Sequence, residues 1–406
     1  MDVVTHALSG LAIQQLLPRK PQTRWLPIFF MLAACLPDLD ILLCTTPQLF
    51  LSLHRGISHS IFAVPILALF LAILAYPLRR KKTFMRLKLG KLWMVFGCCL
   101  LVHLWLDAIT TFGTRLFLPF SSYRVRLNAN FILDFFLLLP LLGLVAASFF
   151  SRTKRRIFGA LALCWLVLYP CANMSLARVA ERNLVAELSA QGKEVHKAVL
   201  LPDFFTPLYW RAVTIERDPH HGTGAGPGEN LVQREYSLGA LGHPRGMPAE
   251  YRPLPPEVSM HMAAQSETAR DFFNLMLMPV WRPLSERGIK SATLALSFLP
   301  SEEAELPDGT HVLRSLSDEE LRALRFLAID DLRFGSGLAL GRKLLNLREP
   351  GDGRSTMPFL LLAVLDAEDT LLLERMLLHD MREDTGWKSP VPPEPQSFPR
   401  WLLGLD

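Results

Sequence analysis

"LWMVFGCCLLVHLWLDAITTF", Leu92 to Phe112, is apolar over a length that can cross a bilayer as a helix, which takes roughly 20 residues. It nevertheless carries His103 and Asp107 in its second half. An ionisable side chain inside such a segment is costly unless it is paired, metal-bound or facing water, so by default it marks a functional site. The rest of the chain must supply both the other membrane helices and the partners of these two groups.

Similar apolar runs cover Trp25 to Leu43, Ser60 to Leu78, Phe131 to Phe150 and Ile157 to Leu176. Together they predict about five membrane spans. A shorter run, Val3 to Leu17, precedes them; it lacks a basic leading region and carries His6, so it does not read as a cleaved signal peptide. The 406 residues are 50% hydrophobic, with room for more than one domain. The predicted fold is mainly α: a polytopic helical membrane domain over residues 1–176, then an extracytoplasmic α+β domain over residues 177–406.

Charge divides the chain at the same place. Up to Leu176 there are 18 Lys or Arg against 5 Asp and no Glu, whereas the remainder has 25 against 33. The basic residues lie between apolar runs rather than along an aromatic-studded face, which argues against nucleic acid as a partner. They cluster at Arg19 to Arg24, Arg79 to Lys91 and Arg152 to Arg156. By the positive-inside rule these loops are cytoplasmic, in an inner (plasma) membrane. The loops Cys44 to His59 and Gly113 to Asn130 then face outward, with only Arg55, Arg115, Arg124 and Arg126, and the chain after the last span emerges outside. All 6 Cys lie in the first half without a CxxC pair, so they read as packing residues and the second half folds without disulfides.

The first half has five carboxylates (Asp2, Asp38, Asp40, Asp107 and Asp134) and four histidines (His6, His54, His59 and His103). The charge-derived topology places His6, "LPDLD" (Leu36 to Asp40), "HRGISHS" (His54 to Ser60), His103, Asp107 and Asp134 at one outer face. His103 and Asp107 are four apart and share a helical face. Asp38 and Asp40 follow Pro37 and suit a helix end or turn. His54 and His59 are about 140° apart on an ideal helix, so a turn is expected there, with Gly56 permitting it and Ser58 as a possible N-cap. Imidazole with carboxylate and no thiolate is the ligand set of zinc or a similar divalent ion in a hydrolytic site. The alternatives are a hydrogen-bonded core histidine, Asp107 as the partner of one arginine, Asp134 as an N-cap, or an ion relay.

"DVVTHALSG", "LPDLD", "HRGISHS" and "HLWLDAITTFGT", in this order, resemble the YdjM-like group of inner-membrane proteins, described as metal-dependent hydrolases. The resemblance runs from Met1 to Pro140. It implies His6, Asp38, Asp40, His54, His59, His103 and Asp107 as metal ligands. Through histidine and aspartate ligands with an HxxxD pair, the chain is also distantly similar to zinc-dependent phospholipase C and nuclease P1, which implies one or more zinc ions and phosphoester hydrolysis.

In the second half, "LARVAERNLVAELSAQG" continues as a helix to about Gly192. "FFTPLYWRAVTIERD", "NLVQREYSLGAL", "AIDDLRFGSG" and "MPFLLLAVLDA" read as strands. Helices are predicted at Val258 to Leu277 and, opened by "SDEE", at Ser317 to Ala328. "HGTGAGPGEN" lacks the ending and context of a phosphate loop, and "SPVPPEPQSFP" reads as an extended Pro-rich tail. The expected activity is hydrolysis of a phosphoester or lipid-linked substrate at the outer membrane face, with membrane lipid as partner. Asp40 or Asp134 would be general base, and Arg55 would steady an anionic group. A metal-stabilised scaffold whose second domain binds a partner, or an ion transporter, are the other readings.

Overall fold

A computed structural model describes residues 1–17, 26–76, 88–151, 153–217, 231–296, 318–334, 359–378 and 386–393. The basic cluster Arg19 to Arg24, most of Arg79 to Lys91, the glycine-rich stretch and the end of the Pro-rich tail lie outside these residues.

The N-terminal part is helical: α1 (Val3–Leu16), α2 (Leu26–Cys35) running on as a 3-10 segment (Leu36–Leu43), α3 (Pro47–Leu53), a 3-10 turn (Ile57–His59), α4 (Val64–Ala75), α5 (Leu89–Ala108), α6 (Phe135–Phe150) and α7 (Arg155–Ala190). Among the described residues, three segments are long and apolar enough to cross a membrane: Leu26–Leu43, Leu89–Ala108 and Arg155–Ala190. Pro47–His59 and Val64–Ala75, bent by 74°, form a fourth if taken as one span, and α6 is a shorter apolar helix. The expected five runs are all present, but two are shorter than the hydropathy of the sequence implies. The run from Ser60 enters its helix only at Val64, after the histidine-bearing turn. The run from Phe131 becomes helical only at Phe135, because the Asp134 side chain accepts from the Leu137 amide 3.0 Å away and so fixes the helix start.

Helix α1 sits inside the bundle, against α2, α5, α6 and α7, and buries Thr5, Ser9, Gln14 and Gln15 along with its apolar residues. Its start is capped by Asp2, which accepts from the Thr5 amide at 2.9 Å and the Thr5 hydroxyl at 2.6 Å. At its other end Arg155 of α7 donates to the carbonyls of Gln15 and Leu17, groups that a helix terminus otherwise leaves orphaned. Gly10 lets α1 approach α2 closely: a Cβ there would lie 2.3 Å from the Phe30 carbonyl oxygen. A second core joins α2, α4 and α5 through Phe30, Ala34, Ala68, Leu71, Phe96 and Leu100.

The C-terminal part is an eight-stranded antiparallel meander: β1 (Glu194–Pro202), β2 (Tyr209–Arg217), β3 (Leu231–Gly239), β4 (Ala249–Pro253), β5 (Pro279–Pro283), β6 (Arg325–Asp331), β7 (Phe359–Leu365) and β8 (Leu371–Leu378), each paired with the next. Among the described residues, four helices accompany it: α8 (Pro256–Gln265), α9 (Glu267–Leu275), α10 (Glu286–Leu296) and α11 (Asp318–Ala323). The helix expected over Val258 to Leu277 is therefore two. Ser266 breaks it, taking an extended backbone, capping α9 through the Ala269 amide and donating to Glu374 of β8 at 2.5 Å. The helix expected to reach Ala328 stops at Ala323, because Leu327 and Ile329 are drawn into β6 between β5 and β7.

The boundary read at residues 176 and 177 falls inside α7, which is one continuous helix. The two parts also share a core. Leu51 of α3 is buried with Met262, Phe272, Ile329, Phe359 and Leu361, and Phe50 and Phe112 pack against them. Gly10→Ala should lower the melting temperature, with a cost of about 1–3 kcal/mol for overpacking the α1–α2 contact. Gly90→Ala, where an added Cβ meets nothing within 4 Å, should leave it unchanged or slightly raised. Thermal unfolding of both variants in one detergent checks this.

Candidate metal centre

Three chain segments converge at one end of the helical bundle. Asp38 and Asp40 lie in the 3-10 continuation of α2, His59 in the turn before α4, and His103 and Asp107 in the last turns of α5. Asp38, His59, His103 and Asp107 each offer one ligand atom, and these atoms all lie within 4.8 Å of one another. His59, His103 and Asp107 are fully buried, while the Asp38 side chain is 22% exposed and forms the open side.

Hydrogen bonds fix which ring nitrogens face inward. His103 Nδ1 lies 2.7 Å from the Ala34 carbonyl, an acceptor only, so Nδ1 carries the hydrogen. Ser58 donates its hydroxyl to Asp40 at 2.8 Å, and so accepts from His59 Nδ1 at 2.9 Å. In the neutral rings both Nε2 lone pairs then point into the centre, 3.1 Å apart. Asp107 Oδ2 lies 3.1 Å from His59 Nε2 and 3.4 Å from His103 Nε2; Asp38 Oδ1 lies 3.3 and 3.6 Å from the same atoms. Two imidazole lone pairs and two carboxylate oxygens at these separations repel unless a cation or a shared proton sits among them. The donor set, imidazole and carboxylate without thiolate, is that of a borderline divalent ion.

The other expected ligands stand around this quartet. His6 stacks on His103 with ring centroids 3.9 Å apart, and its Nε2 lies 3.3 Å from Asp107 Oδ1 and 3.9 Å from Asp38 Oδ2. Neither His6 ring nitrogen has a hydrogen-bond partner among the described residues, so His6 is a fifth donor poised at the edge. Asp40 does not enter the quartet. It accepts from His54 Nδ1 at 2.9 Å, the Arg55 amide at 3.0 Å and Ser58, and lies 3.3 Å from His59 Nδ1. It thus orients two histidines from behind, the usual place of an outer carboxylate at a metal-binding imidazole. His54, held by Asp40 and packed on Phe50 and Phe112, also lies outside the quartet.

Arg55 is buried and spans the site: Nη2 is 2.8 Å from Asp107 Oδ1, and Nη1 donates to Thr110 at 2.9 Å. The chain reverses at Arg55 itself, with φ 55°, whereas Gly56 keeps φ −91°. Gly56 permits the turn as expected, since a Cβ there would lie 2.6 Å from the Leu53 carbonyl oxygen, and the amide and guanidinium of Arg55 both find carboxylates. Ser58, expected as an N-cap, instead bridges Asp40 and His59. Asp134 is not near these groups by any contact: it caps α6 and accepts from Asn130 at 2.7 Å and from Tyr169. The sequence reading missed the α-amino group of Met1, which lies buried 2.6 Å from Asp107 Oδ1. It carries no signal in a sequence, because every chain has one.

The segments carrying Asp38, His59 and the His103–Asp107 pair thus meet at one point, with His6 of α1 beside them. Residues 1–180 match the YdjM inner membrane protein family. The YdjM match covers α1 to α6 and most of α7, and so the quartet, His6, Asp40, His54 and Arg55. The chain matches no curated protein and no solved structure. The comparisons show no likeness to phospholipase C or nuclease P1.

Asp40→Asn should keep the fold and weaken metal binding by about 10–100-fold, as removal of an outer carboxylate does elsewhere. Competition with a chelator of known affinity measures this; unchanged affinity would remove Asp40 from its orienting role.

Proposed function

We propose that the chain is a membrane-bound, metal-dependent hydrolase acting on a phosphoester or lipid-linked substrate at the outer face of the inner membrane. The observation that carries this reading is the meeting of His59 and His103 Nε2, 3.1 Å apart, with carboxylate oxygens of Asp38 and Asp107. Asp38, His59, His103 and Asp107 would hold a divalent ion, with zinc the first choice by donor type and His6 available as a further donor. Such an ion supplies Lewis acidity, which polarises a phosphoryl oxygen and makes water a nucleophile near neutral pH.

The protein's own groups have distinct tasks. Asp38 is the open member of the quartet and leaves room for substrate on its side. Asp40 with His54 is the pair placed to take up a proton, being close to the centre and only partly buried. Arg55, committed to Asp107 and Thr110, holds the buried carboxylate in place rather than reaching for substrate. Asp134, with its oxygens engaged by α6, Asn130 and Tyr169, is assigned to the fold. The outer-face placement rests on the basic-residue distribution, and the lipid-linked substrate on the position of the site at the end of the apolar helices.

His103→Ala and Asp107→Asn should each lower bound metal and abolish hydrolysis of a lipid phosphoester in detergent. The double variant should be little worse than either, because members of one constellation act as a unit. Full metal occupancy in the folded fraction of all three would overturn the assignment. Metal retained by the wild type with no turnover on lipid or soluble phosphoesters would favour a metal-stabilised scaffold. A reporter fused after Asp406 tests the orientation separately: activity of a cytoplasmic reporter would contradict it.

A further inference from the structure

A second charged site lies beside the metal centre, in the loop between α5 and α6. A cavity of about 270 Å³ is lined by Arg115, Arg124 and Arg126 of that loop, with Asp271 and Asn274 of α9 on the opposite wall. Arg115 and Arg124 are only 5% and 7% exposed. Their charges are held by backbone carbonyls. Arg124 Nη2 donates to Leu51 at 2.7 Å and Nη1 to Gly113 at 3.5 Å; Arg126 Nη2 donates to Leu275 at 3.0 Å; Arg115 donates to Ser52. Arg126 Nε is buried with no hydrogen-bond partner among the described residues.

Two carboxylates stand near these groups, each set against another arginine than Arg124. Asp271 faces Arg115, and Asp331, the neighbour of Arg126, is already paired with Arg333 at 2.9 Å. Burial, together with the like charges of Arg115, Arg126, Arg55 and Arg333, opposes the charge on Arg124 and pushes its pKa well down. Arg124 and Arg126 hydrogen-bond to backbone carbonyls; a buried cation is costly, and an anion with several acceptor oxygens relieves it. Three arginines lining one small polar cavity match a phosphate, whose oxygens accept from guanidinium groups.

The backbone is shaped to bring the arginines together. Gly113 has φ 89°, and a Cβ there would sit 2.7 Å from Arg126 Cγ and Nε and 3.0 Å from Arg124 Cβ. One ring separates the cavity from the metal centre: Phe112 has Arg124 on it at 5.5 Å and Arg55 at 5.2 Å. The same loop exposes Phe117, Phe120 and Tyr123, the kind of aromatic residues that sit at head-group level.

We propose that the cavity formed by Arg115, Arg124 and Arg126 against α9 is a binding site for a phosphate group, free or as the head group of a phospholipid. The site does not depend on the metal centre being catalytic. The full chain in detergent, treated with chelator so that no metal can hold the anion, should bind inorganic phosphate saturably by phosphorus NMR or calorimetry. Arg126→Gln, at the less buried arginine, and Arg124→Lys should each weaken binding by about tenfold or more, the loss of a charge-assisted hydrogen bond, with the melting temperature of Arg126→Gln near that of wild type.

In nanodiscs, phosphatidic acid should compete with phosphate for the site if the source is a lipid; no competition would assign the site to free phosphate. Phospholipid retained through purification of the wild type and lost in Arg126→Gln would equally support a lipid source. Unchanged phosphate affinity in a folded Arg126→Gln, or no binding of phosphate or of phosphatidic acid to the wild type, would overturn the proposal. Loss of metal binding in His103→Ala with phosphate binding intact would separate this site from the hydrolase reading.

Discussion

A carboxylate buried at the end of an apolar helix has to be surrounded by positive charge or it does not stay ionised, and Asp107 is such a carboxylate. Its cationic partners come from two distant places, the Met1 amino group at the start of the chain and the Arg55 guanidinium in the turn before α4, while His59 and His103 face its other oxygen. Removing one partner from a buried ionic group typically costs about 3–5 kcal/mol. The relative positions of α1, the α3–α4 turn and α5 are therefore tied through one carboxylate as well as through the apolar cores.

The five aspartates of this half divide by what their second oxygen is free to do. Asp2 and Asp134 spend theirs on helix starts and local hydroxyl or amide partners. Asp38 and Asp107 keep an oxygen turned towards His59 and His103, and Asp40 stands behind two of the histidines. Capping, ligation and orientation thus use one residue type, separated only by which backbone amides lie within reach.

The meander is not an independent appendage. Phe50, Leu51 and Phe112 pack into the core of its second half, and Arg126 and Arg333 donate to the same Leu275 carbonyl across the junction. The loop that follows the HxxxD pair is consequently clamped between the bundle and α9. Movement of the sheet relative to the bundle would be felt at Phe112, one ring from both charged sites.

The sequence by itself determined the broad division: apolar runs then a mixed α+β half, with the histidines and most of the aspartates at one end of the bundle. Hydropathy and charge are additive along a chain, so they can be read without coordinates, and helical periodicity alone puts His103 and Asp107 on one face. Tertiary structure decided which of seven candidate ligands meet. Asp38, His59, His103 and Asp107 do, His6 stands at the edge, and Asp40 and His54 lie outside the quartet. That choice turns on side-chain hydrogen bonds between segments far apart in sequence, such as His103 with Ala34 or Ser58 with Asp40, for which spacing carries no signal. The same holds for Arg115, Arg124 and Arg126. In sequence they are scattered charges in a loop, and only the positive φ of Gly113 and the approach of α9 gather them around one cavity.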